Sequence, residues 1–148
     1  MRTSLIVAAA SLGLAGAVPL SAATPAEVVA HHVAVMKKGD LPAIMADYAA
    51  NTVVITPQGL VAGQHPANAP GVFSGAANAR KVFATLTDKD HHPGVRAMET
   101  RIEPIGADIA LLYWVQFRGT PQQVSGKDVF VVRGNKITYQ AILVDPAH

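Results

Sequence analysis

The residue that most invites a chemical role is an acid in apolar company. Asp128 stands directly before Val129, Phe130, Val131 and Val132 in the segment KDVFVVRGNKITYQAIL, residues 127 to 143. Gly134-Asn135 between two β-rich runs marks a two-residue hairpin turn, because both central positions need or tolerate positive φ. An unbroken ladder from that turn sets Arg133 opposite Lys136, Val132 opposite Ile137, Phe130 opposite Tyr139 and Asp128 opposite Ala141. Opposed residues share a face, so Asp128 becomes the only charged group on the less polar one. Turned inward, its carboxyl loses water, which disfavours the charged form and raises the pKa.

An imidazole is a natural partner for such an acid. His32 falls in the apolar stripe of a first helix with Val28, Val29, Val35 and Met36, while His31 lies about 100° round that helix, toward its edge. An ion pair between His32 and Asp128 would keep the acid charged and make His32 the proton carrier; a neutral Asp128 would instead donate a hydrogen bond to a ligand. Both protonation patterns stay open at this stage. Further candidates for a shared cavity are the rings of Tyr48, Tyr113, Trp114, Phe130 and Tyr139 and the hydroxyl of Thr56. Tyr113 and Trp114 are neighbours on a strand and point to opposite faces, so one lines the cavity while the other face is free to meet a second subunit, which makes a homodimer the favoured assembly. His65, His91 and His92, with Asp88 and Asp90, lack the i, i+4 spacing that sets two ligands on one helix face, and no metal site is assigned. The glycines are spaced as turns and form no phosphate loop, so no cofactor is assigned.

These side chains need elements to position them. Thr24-Pro25-Ala26-Glu27 combines an N-cap, a Pro at the first helical position and a Glu for a capping box, and Gly39 closes the helix. Asp40 caps a second helix in which Leu41, Ile44, Met45 and Tyr48 fall at i, i+3, i+4 and i+7. Thr52 to Thr56 reads as a strand, with a short second piece at Leu60 to Ala62. A third helix is expected from about Ser74 to Leu86, then a polar loop, Thr87 to Gly94. The rest is strand: Val95 to Ile105, Ile109 to Arg118, and the hairpin. Two helices, a strand pair, a helix and four long strands describe an α+β domain, with N-terminal helices covering the concave face of a curved, mostly antiparallel sheet.

The first residues belong to a different class. Arg2, the apolar run from Leu5 to Val18 and the small residues Ser21-Ala22-Ala23 have the three-part layout of a secretory signal peptide. The run is shorter than the roughly 20 residues of a membrane span, so residues 1–23 are read as an export signal and 24–148 as one domain of about 125 residues. A periplasmic or secreted destination follows, with no membrane span. Twelve Lys and Arg against ten Asp and Glu are scattered along the chain, which argues against a nucleic-acid partner.

The segment KKGDLPAIMADYAANTVVITPQGLVAG and the closing DVFVVRGNKITYQAILVD resemble, in order and spacing, the NTF2-like superfamily, the cone-shaped α+β family that includes ketosteroid isomerases and SnoaL-like polyketide cyclases. The resemblance implies a pocket where helix one meets the concave sheet. It puts His32 where the isomerases carry a catalytic tyrosine, Thr56 where they carry the proton-shuttling carboxylate, and Asp128 at the position of their protonated hydrogen-bond-donating acid. Because a Thr hydroxyl is no base at neutral pH, the first expectation is a cone that binds a small apolar or carbonyl-containing molecule, with or without catalysis. The alternatives are an isomerase-like or cyclase/dehydratase-like enzyme using His32 and Asp128, and a dimeric structural or partner-binding module whose cavity is filled by its own side chains. A cavity below roughly 300 Å³ would defeat the ligand-binding expectation and favour the structural or partner-binding module.

Overall fold

The computed structural model describes residues 22–61 and 71–146. The export signal falls almost wholly on residues 1–21, which lie outside the described residues, as do His65 and Ala62. The helices are α1 (Pro25–Lys38), α2 (Leu41–Ala46), α3 (Ala76–Leu86) and the single turn α4 (Gly94–Ala97). The strands are β1 (Tyr48–Thr56), β2 (Gly71–Ser74), β3 (Glu99–Ile105), β4 (Ile109–Gln116), β5 (Val124–Arg133) and β6 (Lys136–Val144). They form one sheet in the order β2-β1-β6-β5-β4-β3. Only β1 and β6 run parallel; the other neighbours are antiparallel.

The capping box closes at the start of α1: Glu27 N donates to Thr24 Oγ1 at 3.3 Å, and Thr24 N donates to Glu27 Oε2 at 2.7 Å. Gly39 ends the helix at φ 71°, a left-handed conformation that costs glycine little. Between these caps α1 buries Val28, Val29, His32, Val33, Val35 and Met36 against β3, β4 and β5. The stripe read from the sequence is the stripe that packs.

Three local expectations change. Tyr48 opens β1 instead of closing α2, because α2 is stopped at Asp47 and the chain turns to join Ile137 of β6. The expected second piece at Leu60–Ala62 does not start as a strand: Leu60 and Val61 are both bends, and β1 pairs with Gly71–Ser74. The polar loop after α3 contains the start of a helical turn, and β3 begins four residues later than expected, at Glu99.

The fourth change matters most. Arg133↔Lys136 and Val132↔Ile137 pair as the turn requires, but then Val131 meets Tyr139, Phe130 meets Gln140 and Asp128 meets Ile142. Thr138 is an extra residue in β6, a β-bulge that shifts every later pairing by one. A one-residue slip swaps faces. Tyr139 and Ala141 therefore leave the face of Asp128, and Gln140 and Ile142 join it.

A glycine completes the inner surface. Trp114 of β4 pairs with Gly126 of β5, and a Cβ at Gly126 would lie 2.5 Å from Trp114 Cζ2 and 2.2 Å from the Leu143 carbonyl oxygen. The indole lies flat over the strand only because no side chain stands beneath it. Gly126→Ala is expected to cost about 1–3 kcal/mol by overpacking, read as a lower midpoint in chemical denaturation; an unchanged midpoint would mean that Trp114 does not need this space.

Candidate functional site

Between α1 and the concave face lies a cavity of about 260 Å³. Its walls are mainly apolar, including Met36, Leu86, Met98, Leu112 and Ile142, and its polar lining comes from His32, His92, Gln116, Asp128 and Gln140. Val124 and Val144, both more than a third exposed, mark its rim. The volume falls under the roughly 300 Å³ floor of typical ligand sites, so the size test set by the sequence goes against ligand binding and toward a module filled by its own side chains; any guest the cone takes must be small.

Asp128 is buried on its lining. Trp114 Nε1 donates to Asp128 Oδ1 at 2.8 Å, and Gln140 Nε2 donates to Oδ2 at 2.7 Å. The Tyr48 hydroxyl in turn donates to Gln140 Oε1, and His32 Nε2 sits 3.4 Å from that hydroxyl oxygen. His32 and Asp128 thus meet through Tyr48 and Gln140. The direct ion pair left open by the sequence does not form.

Burial sets the charges. Loss of water pushes the Asp128 carboxyl up to about 7, against the pull of its Trp114 and Gln140 hydrogen bonds. The same loss pushes the His32 imidazole down to about 3, helped by its neighbour His31. His32 is therefore neutral at pH 7. Its ring is packed edge-on by Tyr48, Phe83 and Phe130 at centroid distances of 5.4, 5.4 and 5.5 Å, and its Nδ1 is buried without a hydrogen-bond partner among the described residues. It resembles a packed core histidine more than a proton carrier.

The other candidates divide. Trp114 lines the cavity. Tyr48 and Phe130 are buried behind the wall, bracing His32. Thr56 is buried one residue behind Pro57, which does reach the cavity. Tyr113 turns to the convex face, where the Arg101 guanidinium lies 4.0 Å over its ring, and Tyr139 leaves with the bulge. His31 sits at the helix edge and pairs with Asp47 at 2.9 Å. Asp88 pairs with His91 at 2.8 Å in an exposed turn, whereas His92 in the same loop reaches the cavity. The described residues contain no group of three or more His, Cys, Asp or Glu placed to hold a metal.

Sequence reasoning missed Gln140 and Gly126. One signal pointed to the first: Ile137 and Ile142 are both strong core formers but stand five apart, an odd spacing that an unbroken strand puts on opposite faces. Both are buried, and only an inserted residue reconciles them.

No family model matches the chain, and no curated protein matches it. Solved structures do. An NTF2-like protein of unknown function from Cytophaga hutchinsonii ATCC 33406 is 12% identical, with a TM-score of 0.55 over 83% of this chain and 91% of that one. One from Burkholderia xenovorans LB400 is 19% identical, with 0.56 over 82% and 84%. TerC, crystallised with polyporic acid, is 17% identical, with 0.57 over 80% and 89%.

The two opposed pKa shifts make stability depend on pH in opposite ways. Asp128 holds its native proton to about pH 7, whereas the unfolded carboxyl loses it near 3.8. Its contribution is full below 3.8 and lost as pH rises to 7. His32 takes up a proton near 6.5 when unfolded but only near 3 when folded, so its contribution is full above 6.5 and lost as pH falls to 3. Each slope is up to about 1.4 kcal/mol per pH unit, and the two oppose each other between about pH 4 and 6.5. Asp128→Asn is expected to leave a stability that rises with pH across this window, and His32→Phe one that falls; denaturation midpoints at three pH values distinguish them, and level profiles in both variants would show that neither group is shifted. Trp114 is the only tryptophan of the chain, so its indole N–H resonance should report the same Asp128 titration. The chain has the NTF2-like fold, with the acid, the tryptophan and the glutamine held together on its concave face.

Proposed function

We propose that this protein binds a small, mostly apolar molecule in its cone, anchored by one polar group on Asp128, and that binding requires no chemical step. The observation that carries the reading is a hydrocarbon-walled cavity with one buried acid on its lining, Asp128, held in place by Trp114 Nε1 and Gln140 Nε2. Two of four lone-pair positions on the carboxyl are used by these donors, and two remain for a guest. The small volume, below the usual floor of ligand sites, is the observation on the side of a module closed by its own side chains. TerC gives a fold-level precedent for a small organic ligand, which supports binding and not the identity of the guest.

Catalysis on a carbonyl compound is the second reading, favoured by one feature: an acid with a pKa of about 7 is suited to proton transfer at neutral pH. Thr56 in place of a base and the neutral, enclosed His32 weigh against it. The chain is further proposed to be exported, on the layout of residues 1–23, and to pair through its convex face. There Leu111, Tyr113, Val129 and Val131 lie half-buried on the central strands. Sedimentation of wild type and Val129→Lys tests the pairing: a dimer that dissociates in the variant is expected, and a wild-type monomer at all concentrations overturns it.

Native mass spectrometry of protein purified from its own host is expected to show a bound small molecule, lost or weakened at least tenfold in Asp128→Asn without change in fold. Equal retention by wild type and variant would remove Asp128 as the anchor. Turnover of that molecule, abolished in the same variant, would favour the catalytic reading.

A further inference from the structure

We propose that the molecule this cavity takes is a small apolar amine, bound as its ammonium ion with the charged nitrogen on the Asp128 carboxylate. The inference rests on the binding reading above and names the class of guest.

The direction of the hydrogen bonds is the first argument. An indole N–H only donates, so Trp114 can serve Asp128 Oδ1 only as an acceptor. Gln140 turns its amide nitrogen to Oδ2 and its carbonyl oxygen to the Tyr48 hydroxyl. The chain Tyr48, Gln140, Asp128 thus runs one way, and with Trp114 it ends on the acid from both sides. Both neighbours within bonding distance give a hydrogen, so both carboxyl oxygens are already served as acceptors.

The charge inventory is the second. Of the groups facing Asp128, α1 brings His32, kept neutral by burial; β1 brings Tyr48, whose hydroxyl is held protonated well above its ordinary range; β4 and β6 bring Trp114 and Gln140, neither of which titrates; and the loop before α4 brings His92. Among the described residues no Lys or Arg lines the cavity. A desolvated carboxylate without a counter-charge is costly. Loss of water holds a proton on the carboxyl up to about neutrality; a guest ammonium would supply positive charge together with N–H donors for the two unused lone-pair positions.

The third is fit. The hydrocarbon walls suit an alkyl or aryl body, and about 260 Å³ limits it to roughly ten non-hydrogen atoms, taking about 20–30 Å³ for each.

The two guest classes give opposite pH dependences. A carbonyl guest needs protonated Asp128, so its affinity falls as pH rises past about 7. An ammonium guest needs the carboxylate, so its affinity rises through the same range until the amine itself deprotonates near about 10. Calorimetry on the full chain with cyclohexylamine and 2-phenylethylamine, and with the neutral cyclohexanone and 4-phenyl-2-butanone, decides between them at pH 5.5 and 8.5. At least one amine is expected to bind tenfold or more tightly at pH 8.5 than at 5.5, and more tightly than either ketone at 8.5. Asp128→Asn should remove that pH slope. Ketones binding more tightly than amines, or amine affinity that is level or falls with pH, would overturn the ammonium proposal while leaving the binding reading in place. If no probe of either class binds, both fall.

Discussion

A desolvated carboxyl clamped by two N–H donors is the constraint to which the concave face is fitted. Trp114 reaches Asp128 because the indole can lie on Gly126, and Gln140 reaches it because Thr138 bulges. Neither donor is adjacent to the acid along the ladder, where Leu112 and Ile142 flank it. Both approach on the diagonal, which keeps hydrocarbon on either side and raises the cost of an uncompensated charge. Removing a donor from such a site leaves a buried polar group unsatisfied, and that costs more than the bond itself contributes.

His32 and Asp128 show how one environment shifts two groups apart. Burial favours the uncharged form of each, so the base is driven down to about 3 and the acid up to about 7. At neutral pH this leaves a silent imidazole and an acid near its midpoint. Tyr48 separates them. Its hydroxyl turns to Gln140, and its ring packs on both His32 and Phe83, so one residue serves the hydrogen-bond chain and the core together.

The edges of the sheet do different work from its centre. The central strands β4, β5 and β6 carry the acid and its donors, while β1 and β2 carry α3 against them. At the far end β4 stops where Phe117 takes a left-handed φ of 54°, unusual for a bulky residue, and its ring lies against Gly94, where a Cβ would come within 2.7 Å of it. This contact seats the turn before β3 beside Gln116 and His92, and so shapes one side of the cavity.

Much of this was legible in residue order. The caps and stripe of α1, the Gly134-Asn135 turn, the inward placement of Asp128 and the α+β cone follow from local rules, since capping, periodicity and turn chemistry act over a few residues. What required the tertiary structure was everything set by strand register. Tyr139 and Gln140 exchange faces through one inserted residue, and no turn rule locates a bulge; packing does, by requiring both Ile137 and Ile142 in the core. Whether Tyr113 or Trp114 faced inward was likewise undecided until β5 offered a glycine for the indole to cover. Short-range preferences choose the elements, but which side chains converge depends on how distant strands fit together, and that fit exists only in the folded sheet.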